Sequence, residues 1–122
     1  MQVPAFLLRR LYVKGSLRNE DGGFAFDLEN TLGTGYADQV LPLRIDGEDI
    51  APDVCAFVVD GVALSFDDIS ADTPMTLPMN RALTVRVAGT TLSVGEHSIE
   101  MAFVVTAMGE MRFDMKDVIP DA

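Results

Sequence analysis

The residues of this sequence that could do chemistry are a single histidine, a single cysteine and 19 acids. His97 lies in LSVGEHSIEM, and Cys55 lies in DVCAFVV. A catalytic base or a metal site built on histidine needs an orienting partner or further ligands. The sequence has no second histidine, no His-Glu-x-x-His spacing and no Cys-x-x-Cys pair. We therefore predict no catalytic residue and no metal ligand on this chain.

Gly95 and His97 fit a structural corner where a loop turns and enters a strand. Glycine supplies a backbone with positive φ where a side chain would clash. The imidazole two residues later could then hydrogen-bond a backbone carbonyl at the corner. For Cys55 the apolar neighbours predict a buried thiol with a raised pKa and low reactivity.

The acids form clusters whose oxygens could bind calcium or act as a catalytic carboxylate pair. These clusters are Asp67-Asp68, Asp72, Asp46-Glu48-Asp49 and Asp114-Asp117. None follows the EF-hand spacing, and Asp-Gly pairs are explained by turns. A glycosidase-like pair is assembled in space, so the sequence leaves that alternative open. We interpret most of these acids as solvated faces.

Charge is distributed unevenly along the 122 residues, whose net charge is −10. Four basic residues and no acids precede residue 20, and all the acids follow. Such an acidic body argues against nucleic acid and anionic membranes, because binding them requires lysine and arginine. The basic segment either docks on an acidic partner or pairs with the chain's own acids.

The N-terminal stretch PAFLLRRLYVKG combines apolar and basic residues as protein interfaces do. A run this apolar must pack on its own sheet or on another chain. We predict that it contributes to a partner interface. The residues of this predicted interface are Phe6, Leu7, Leu8, Arg9, Arg10, Leu11 and Tyr12.

Alternation of period two dominates the rest of the chain, and no segment has a convincing helical period. Asp-Gly pairs at 21–22, 46–47 and 60–61 are hairpin turn signals. About eight strands with turns every 8–12 residues are typical of a sandwich or barrel. We predict an all-β fold: a single antiparallel β-sandwich domain, jelly-roll or immunoglobulin-like, spanning residues 1–122.

The sequence also predicts a cytoplasmic protein. No apolar run approaches the roughly 20 residues that cross a bilayer. The N-terminal stretch is a poor signal peptide, because its basic residues follow the apolar run. A single cysteine cannot form an internal disulfide, which favours a reducing compartment.

Three stretches resemble the small (β) subunit of the bacterial C-glycoside deglycosidases. They are RRLYVKGSLRNEDGGFAFDLENTLGTG, LPLRIDGEDIAPD and VRVAGTTLSVGEHSIEM, and the resemblance runs from about residue 6 to residue 119. It implies a non-catalytic β-sandwich subunit that assembles into a hetero-oligomer. The implied partner is a TIM-barrel α subunit that holds a divalent metal, Mn²⁺, together with the acid and base residues.

The resemblance further implies a carbon–carbon lyase of flavonoid C-glucoside catabolism. Its substrate would be a glucosyl group oxidised at C3, from which the aromatic aglycone is eliminated. No cofactor and no catalytic residue would lie on this chain. Two other interpretations remain open: a stand-alone sugar-binding or interaction module, and a small enzyme that uses surface carboxylates.

Overall fold

The computed structural model describes residues 3–33, 35–77 and 80–121, so a few residues of the predicted 1–122 domain lie outside it. Strands account for 52% of the chain and helices for 11%, which makes the fold all-β. Two antiparallel sheets enclose one hydrophobic core. The prediction of an antiparallel β-sandwich is confirmed.

The described residues form eleven strands, one α-helical turn and three 3₁₀ turns. The strands are β1 (Arg18–Glu20), β2 (Gly23–Glu29), β3 (Gly35–Val40), β4 (Arg44–Ile45), β5 (Glu48–Asp49), β6 (Cys55–Val59), β7 (Val62–Ser65), β8 (Met75–Leu77), β9 (Ala82–Val87), β10 (Gly95–Val105) and β11 (Gly109–Ile119). The helical turn is α1 (Ala5–Leu8), and the 3₁₀ turns are Arg9–Leu11, Pro52–Val54 and Phe66–Asp68.

The first sheet has the order β1-β2-β9-β6-β7. Its two hairpins, β1-β2 and β6-β7, are closed by Asp-Gly pairs in which both residues have positive φ. These φ values are those of the two-residue turn that matches the natural twist of a hairpin. The Asp-Gly pairs therefore form the hairpin turns that the sequence predicts at these positions.

The second sheet is built around the long strand β10. On one side β10 pairs with β11 along its whole length. On its other side it pairs with β4 near Ile99 and with β3 near Phe103, and these continue to β5 and β8. The extended strand is interrupted at residues 41–43, between β3 and β4. Pro42 lies there and has no backbone N–H to donate to a neighbouring strand.

The core lies between the two sheets and follows directly from the alternation. Every second residue of the central strands points inward and is buried, as in Phe24 and Phe26 of β2 and Ile99 and Met101 of β10. Each fully buried side chain of this size stabilises the fold by roughly 2–3 kcal/mol. The core therefore holds the strand ends, and the groups on them, in fixed positions.

The strand count exceeds the expected eight, because several strands have only two or three residues. Such strands are too short to show alternation. The sequence analysis did not predict α1 or the 3₁₀ turn Arg9–Leu11. Together they span barely two turns, which is too short to show a helical period.

Candidate functional site

His97 lies near the start of β10 and is buried. Its Nδ1 is 2.7 Å from Oδ2 of Asp46, and its Nε2 is 2.8 Å from the carbonyl oxygen of Ser93. Both neighbours are acceptors, so the ring satisfies both contacts only as an imidazolium that donates twice. The hydrogen bonds to Asp46 and Ser93 accordingly raise the pKa of His97 above 6.5. Both ring nitrogens are thus engaged in joining a turn to a loop.

Asp46 lies in the turn between β4 and β5, and its carboxylate contacts both His97 and Ser98. Asp46 has positive φ and precedes Gly47, and its Oδ1 accepts a 2.9 Å hydrogen bond from the backbone N–H of Ser98. The hydrogen bonds from His97 and Ser98 lower the pKa of Asp46. Gly95, two residues before the histidine, has a φ of 121°. That conformation strains any residue with a side chain.

Cys55 begins β6 and is buried in the core cluster. Its Sγ lies 3.6 Å from the carbonyl oxygen of Ala51. Burial raises the pKa of the thiol to about 12, and the nearby charges of Asp53 and Asp67 add to the effect. A thiol with this pKa is almost entirely protonated at neutral pH, so Cys55 is a poor nucleophile.

The predicted interface segment packs largely on its own sandwich. Leu8 and Leu11 are buried in the core cluster, and α1 packs against β11. Arg9 forms an ion pair with Asp114 at 2.9 Å, and its Nε donates to the Asp114 carbonyl. Leu8 and Leu11 are thus covered mainly by this chain itself.

The remaining residues of that segment divide into two groups. The Tyr12 ring is half-buried, and its hydroxyl donates a 2.6 Å hydrogen bond to Asp117. Leu7 is half-buried as well. Phe6 and Arg10 face outward, with Phe6 65% exposed. Only the outer side of the segment is therefore presented to solvent.

Asp117 is a structural residue that sequence reasoning treated only as part of an acid cluster. It is buried, and its carboxylate accepts hydrogen bonds from Tyr12 and from the backbone N–H groups of Gly15, Leu17 and Val118. Burial alone would raise its pKa, but these hydrogen bonds outweigh burial and lower the pKa. The burial of Asp117 could have been predicted from the sequence, because residue 117 continues the alternate, inward-facing positions of β11.

An apolar cavity of about 160 Å³ opens beside the N-terminal segment. It is lined by Leu8 and Leu11 of the N-terminal segment together with Phe103 of β10 and Met111 of β11. At its rim lie Leu32 and Met108, each 39% exposed. We use the name N-terminal surface for this cavity, its exposed lining residues Leu32 and Met108, and the exposed Phe6 of the adjoining helical turn.

Residues 7–120 match the sequence model of the hydroxymethylglutaryl-CoA reductase N-terminal domain family. The match covers nearly the whole chain. The chain belongs to that family. The sequence has no significant match among curated proteins.

This family match corrects the resemblance to the C-glycoside deglycosidases, which is wrong. The function built on that resemblance is wrong with it: the carbon–carbon lyase, the 3-oxo-glucosyl substrate and the role in flavonoid catabolism. The expected TIM-barrel α subunit and its Mn²⁺ rested on the same resemblance and lose that support. A chain of the hydroxymethylglutaryl-CoA reductase N-terminal domain family is related to reductases instead.

Among residues 3–33, 35–77 and 80–121, no group of three or more histidine, cysteine, aspartate or glutamate side chains could hold a metal ion. The acid clusters considered for calcium do not converge within these ranges. In the same part of the chain, no helix is long and apolar enough to cross a membrane.

Proposed function

We propose that this chain is a non-catalytic interaction domain that docks on the catalytic region of a hydroxymethylglutaryl-CoA reductase. The observation that carries the proposal is the N-terminal surface, where Phe6 is exposed on the same helical turn as Leu8, which lines an open apolar cavity. An exposed aromatic residue next to an apolar pocket is the usual composition of an interface centre. Family membership supports the choice of partner.

The rigidity of the segment supports a docking role for Phe6. Arg9 is bonded to Asp114 and Tyr12 to Asp117, so the residues that follow the helical turn of Phe6 are tied to β11. Fixing a side chain before binding reduces the conformational entropy lost on association. The helical turn that carries Phe6 is thus held in place before a partner binds.

The cavity suits a single apolar side chain of the partner. A cavity near 150 Å³ that is lined by aliphatic and aromatic groups accommodates a benzene-sized ligand. Arg10 is exposed next to Leu11 in the cavity wall and has no ion pair among the described residues. We expect the partner to offer an apolar anchor flanked by carboxylates.

The chemistry of the polar residues supports a non-catalytic role. Both ring nitrogens of His97 are bound to fixed acceptors. Cys55 is held as a buried thiol, and Asp117 organises the backbone of the N-terminal segment. Each of these residues has a structural explanation. A cytoplasmic location is part of the proposal, supported by the single cysteine.

The test is co-elution of this chain with the catalytic region of the reductase from the same organism on a size-exclusion column. Phe6→Asp should abolish co-elution, because it places a charge at the centre of the interface. Val62→Asp is the matched control: it introduces the same charge at an exposed residue of β7 and should leave co-elution unchanged. Failure of the wild-type chain to co-elute, or loss with both variants equally, would contradict the proposal.

A further inference from the structure

The outer strands of the two sheets differ in how their free backbone groups are protected. Strand β1 carries Arg18, which pairs with Glu20 and Asp27. On the second sheet, β11 is covered by α1 and by Arg9, and β5 consists of two acids. Charges and covering elements of this kind are how natural sheets block pairing with other chains.

Strand β7 lacks charged side chains, and besides β6 the element that contacts it, the 3₁₀ turn Pro52–Val54, adds no strand to it. Its sequence Val-Ala-Leu-Ser contains no charge and no proline, and no described element pairs with its outer side. Val62, at its start, is 71% exposed. An uncharged edge strand with an unpaired outer side is a template for another strand.

The register shows which backbone groups of β7 are free. Val59 and Val62 flank a two-residue turn and are paired. In such a hairpin this pair exchanges hydrogen bonds, and bonded and non-bonded pairs then alternate. Ala63, opposite Val58, is therefore a non-bonded position whose N–H and C=O point away from β6. They are directed where a further strand would lie.

An apolar groove of about 280 Å³ runs beside this edge. Phe57 and Leu64 form its side on the first sheet, and Pro74 and Met75 form its side on the second. A strand added to β7 would place alternate side chains toward this groove. The groove therefore supplies apolar contacts in addition to the backbone hydrogen bonds.

The charges of the segment that follows β7 indicate the kind of occupant. The segment that joins its two sides, from β7 to β8, carries Asp67, Asp68 and Asp72. All three are exposed and have no ion pair among the described residues. A second copy of this chain would bring three further acids and a net charge of −10 to the same place. Charge complementarity favours a basic occupant.

We propose that β7 binds an extended basic segment of another polypeptide, which adds to the first sheet as a further strand. Its apolar side chains enter the groove beside Leu64 and Met75, and its lysine or arginine side chains face the three aspartates. This site lies on β7 and is independent of the N-terminal surface.

The test uses the peptide acetyl-Lys-Val-Thr-Val-Thr-Val-Lys-Lys-amide and the wild-type chain, with binding followed by backbone amide NMR. We expect saturable binding with Kd below about 1 mM and shifts concentrated at Ala63 and Met75. The same peptide with N-methyl groups on its central residues cannot form the ladder and should bind at least about tenfold more weakly. The chain itself is unchanged in this comparison, so loss of folding cannot mimic the result.

Two further measurements complete the test. A peptide with glutamate in place of each lysine should bind at least about tenfold more weakly, and added salt should weaken the lysine peptide. Ala63→Pro removes the outward N–H at an edge position and should reduce binding while Phe6→Asp does not. The proposal is overturned by no binding at about 1 mM, or by equal binding of the N-methylated or the glutamate peptide.

Discussion

The carboxylate of Asp117 accepts a 2.6 Å hydrogen bond from the hydroxyl of Tyr12, 105 residues earlier in the chain. The same oxygen accepts the backbone N–H of Gly15 at 2.9 Å. These contacts join the N-terminal segment to β11, the strand against which α1 packs. The position of Phe6 on the N-terminal surface therefore depends on a buried acid at the far end of the sequence.

Replacing Asp117 should destabilise the fold strongly. Asp117→Ala leaves several buried donors without an acceptor, and we expect a loss of about 3 kcal/mol or more in the free energy of unfolding. Tyr12→Phe removes one hydrogen bond and should cost about 1 kcal/mol. Urea unfolding measures both. As the control, Asp114→Ala affects an ion pair whose acid is 60% exposed, and it should cost less than about 1 kcal/mol.

Asp117 should also contribute to acid denaturation. Its pKa in the folded state lies below the ordinary 3.8, so the unfolded state binds the proton more readily. The contribution is present above pH 3.8 and is lost as the pH falls through the lowered pKa. Between pH 6 and about pH 2, the thermal unfolding midpoint should therefore fall less steeply for Asp117→Asn than for the wild type. Parallel curves would contradict this assignment.

His97 should titrate above 6.5, its ordinary value. It is the only histidine, so one set of imidazole NMR resonances reports it directly. The folded state holds the proton more tightly, so the pair stabilises the fold below pH 6.5 and loses this effect as the pH rises through the raised pKa. Asp46→Asn should move the titration down, and Asp49→Asn should not. If the pKa of His97 were unchanged in Asp46→Asn, the contact with Asp46 would not be the cause of the raised pKa.

Gly23 and Gly35 should respond differently to the same substitution. A Cβ on Gly23 would collide with the carbonyl oxygen of Val87 on the neighbouring strand, whereas one on Gly35 would meet Val105 Cγ1 at 3.6 Å, an ordinary contact. Gly23→Ala should cost at least about 2 kcal/mol by forcing β2 from β9. Gly35→Ala should be close to neutral. Similar unfolding midpoints for the two variants would contradict the close approach.

The fold was predictable from the sequence where local signals determine it. Asp21, Asp46 and Asp60 each precede glycine and adopt positive φ, as two-residue turns require. The helical turn Ala5–Leu8 was not predictable, because four residues show no helical period. Its position comes from the packing of Leu8 in the core.

The candidate site was predictable only in part, because its contacts join distant parts of the chain. The contact of His97 with Asp46 spans 51 residues, and no local pattern encodes it. Asp117 could have been found as an acid on the inward phase of β11. The family resemblance failed for a related reason. The stretches that carried it contain hairpin turns and alternating strands, which the β-sandwich itself demands.

Methionine methyl NMR tests the central claim most directly, because methionines mark both surfaces. Met108 and Met111 line the cavity of the N-terminal surface, Met75 lines the groove beside β7, and Met101 is buried in the core. The labelled chain would be titrated with the reductase catalytic region. Shifts at Met108 and Met111, with Met75 and Met101 unmoved, are the predicted result. No shift at all, or a shift at Met75 alone, would contradict docking through the N-terminal surface.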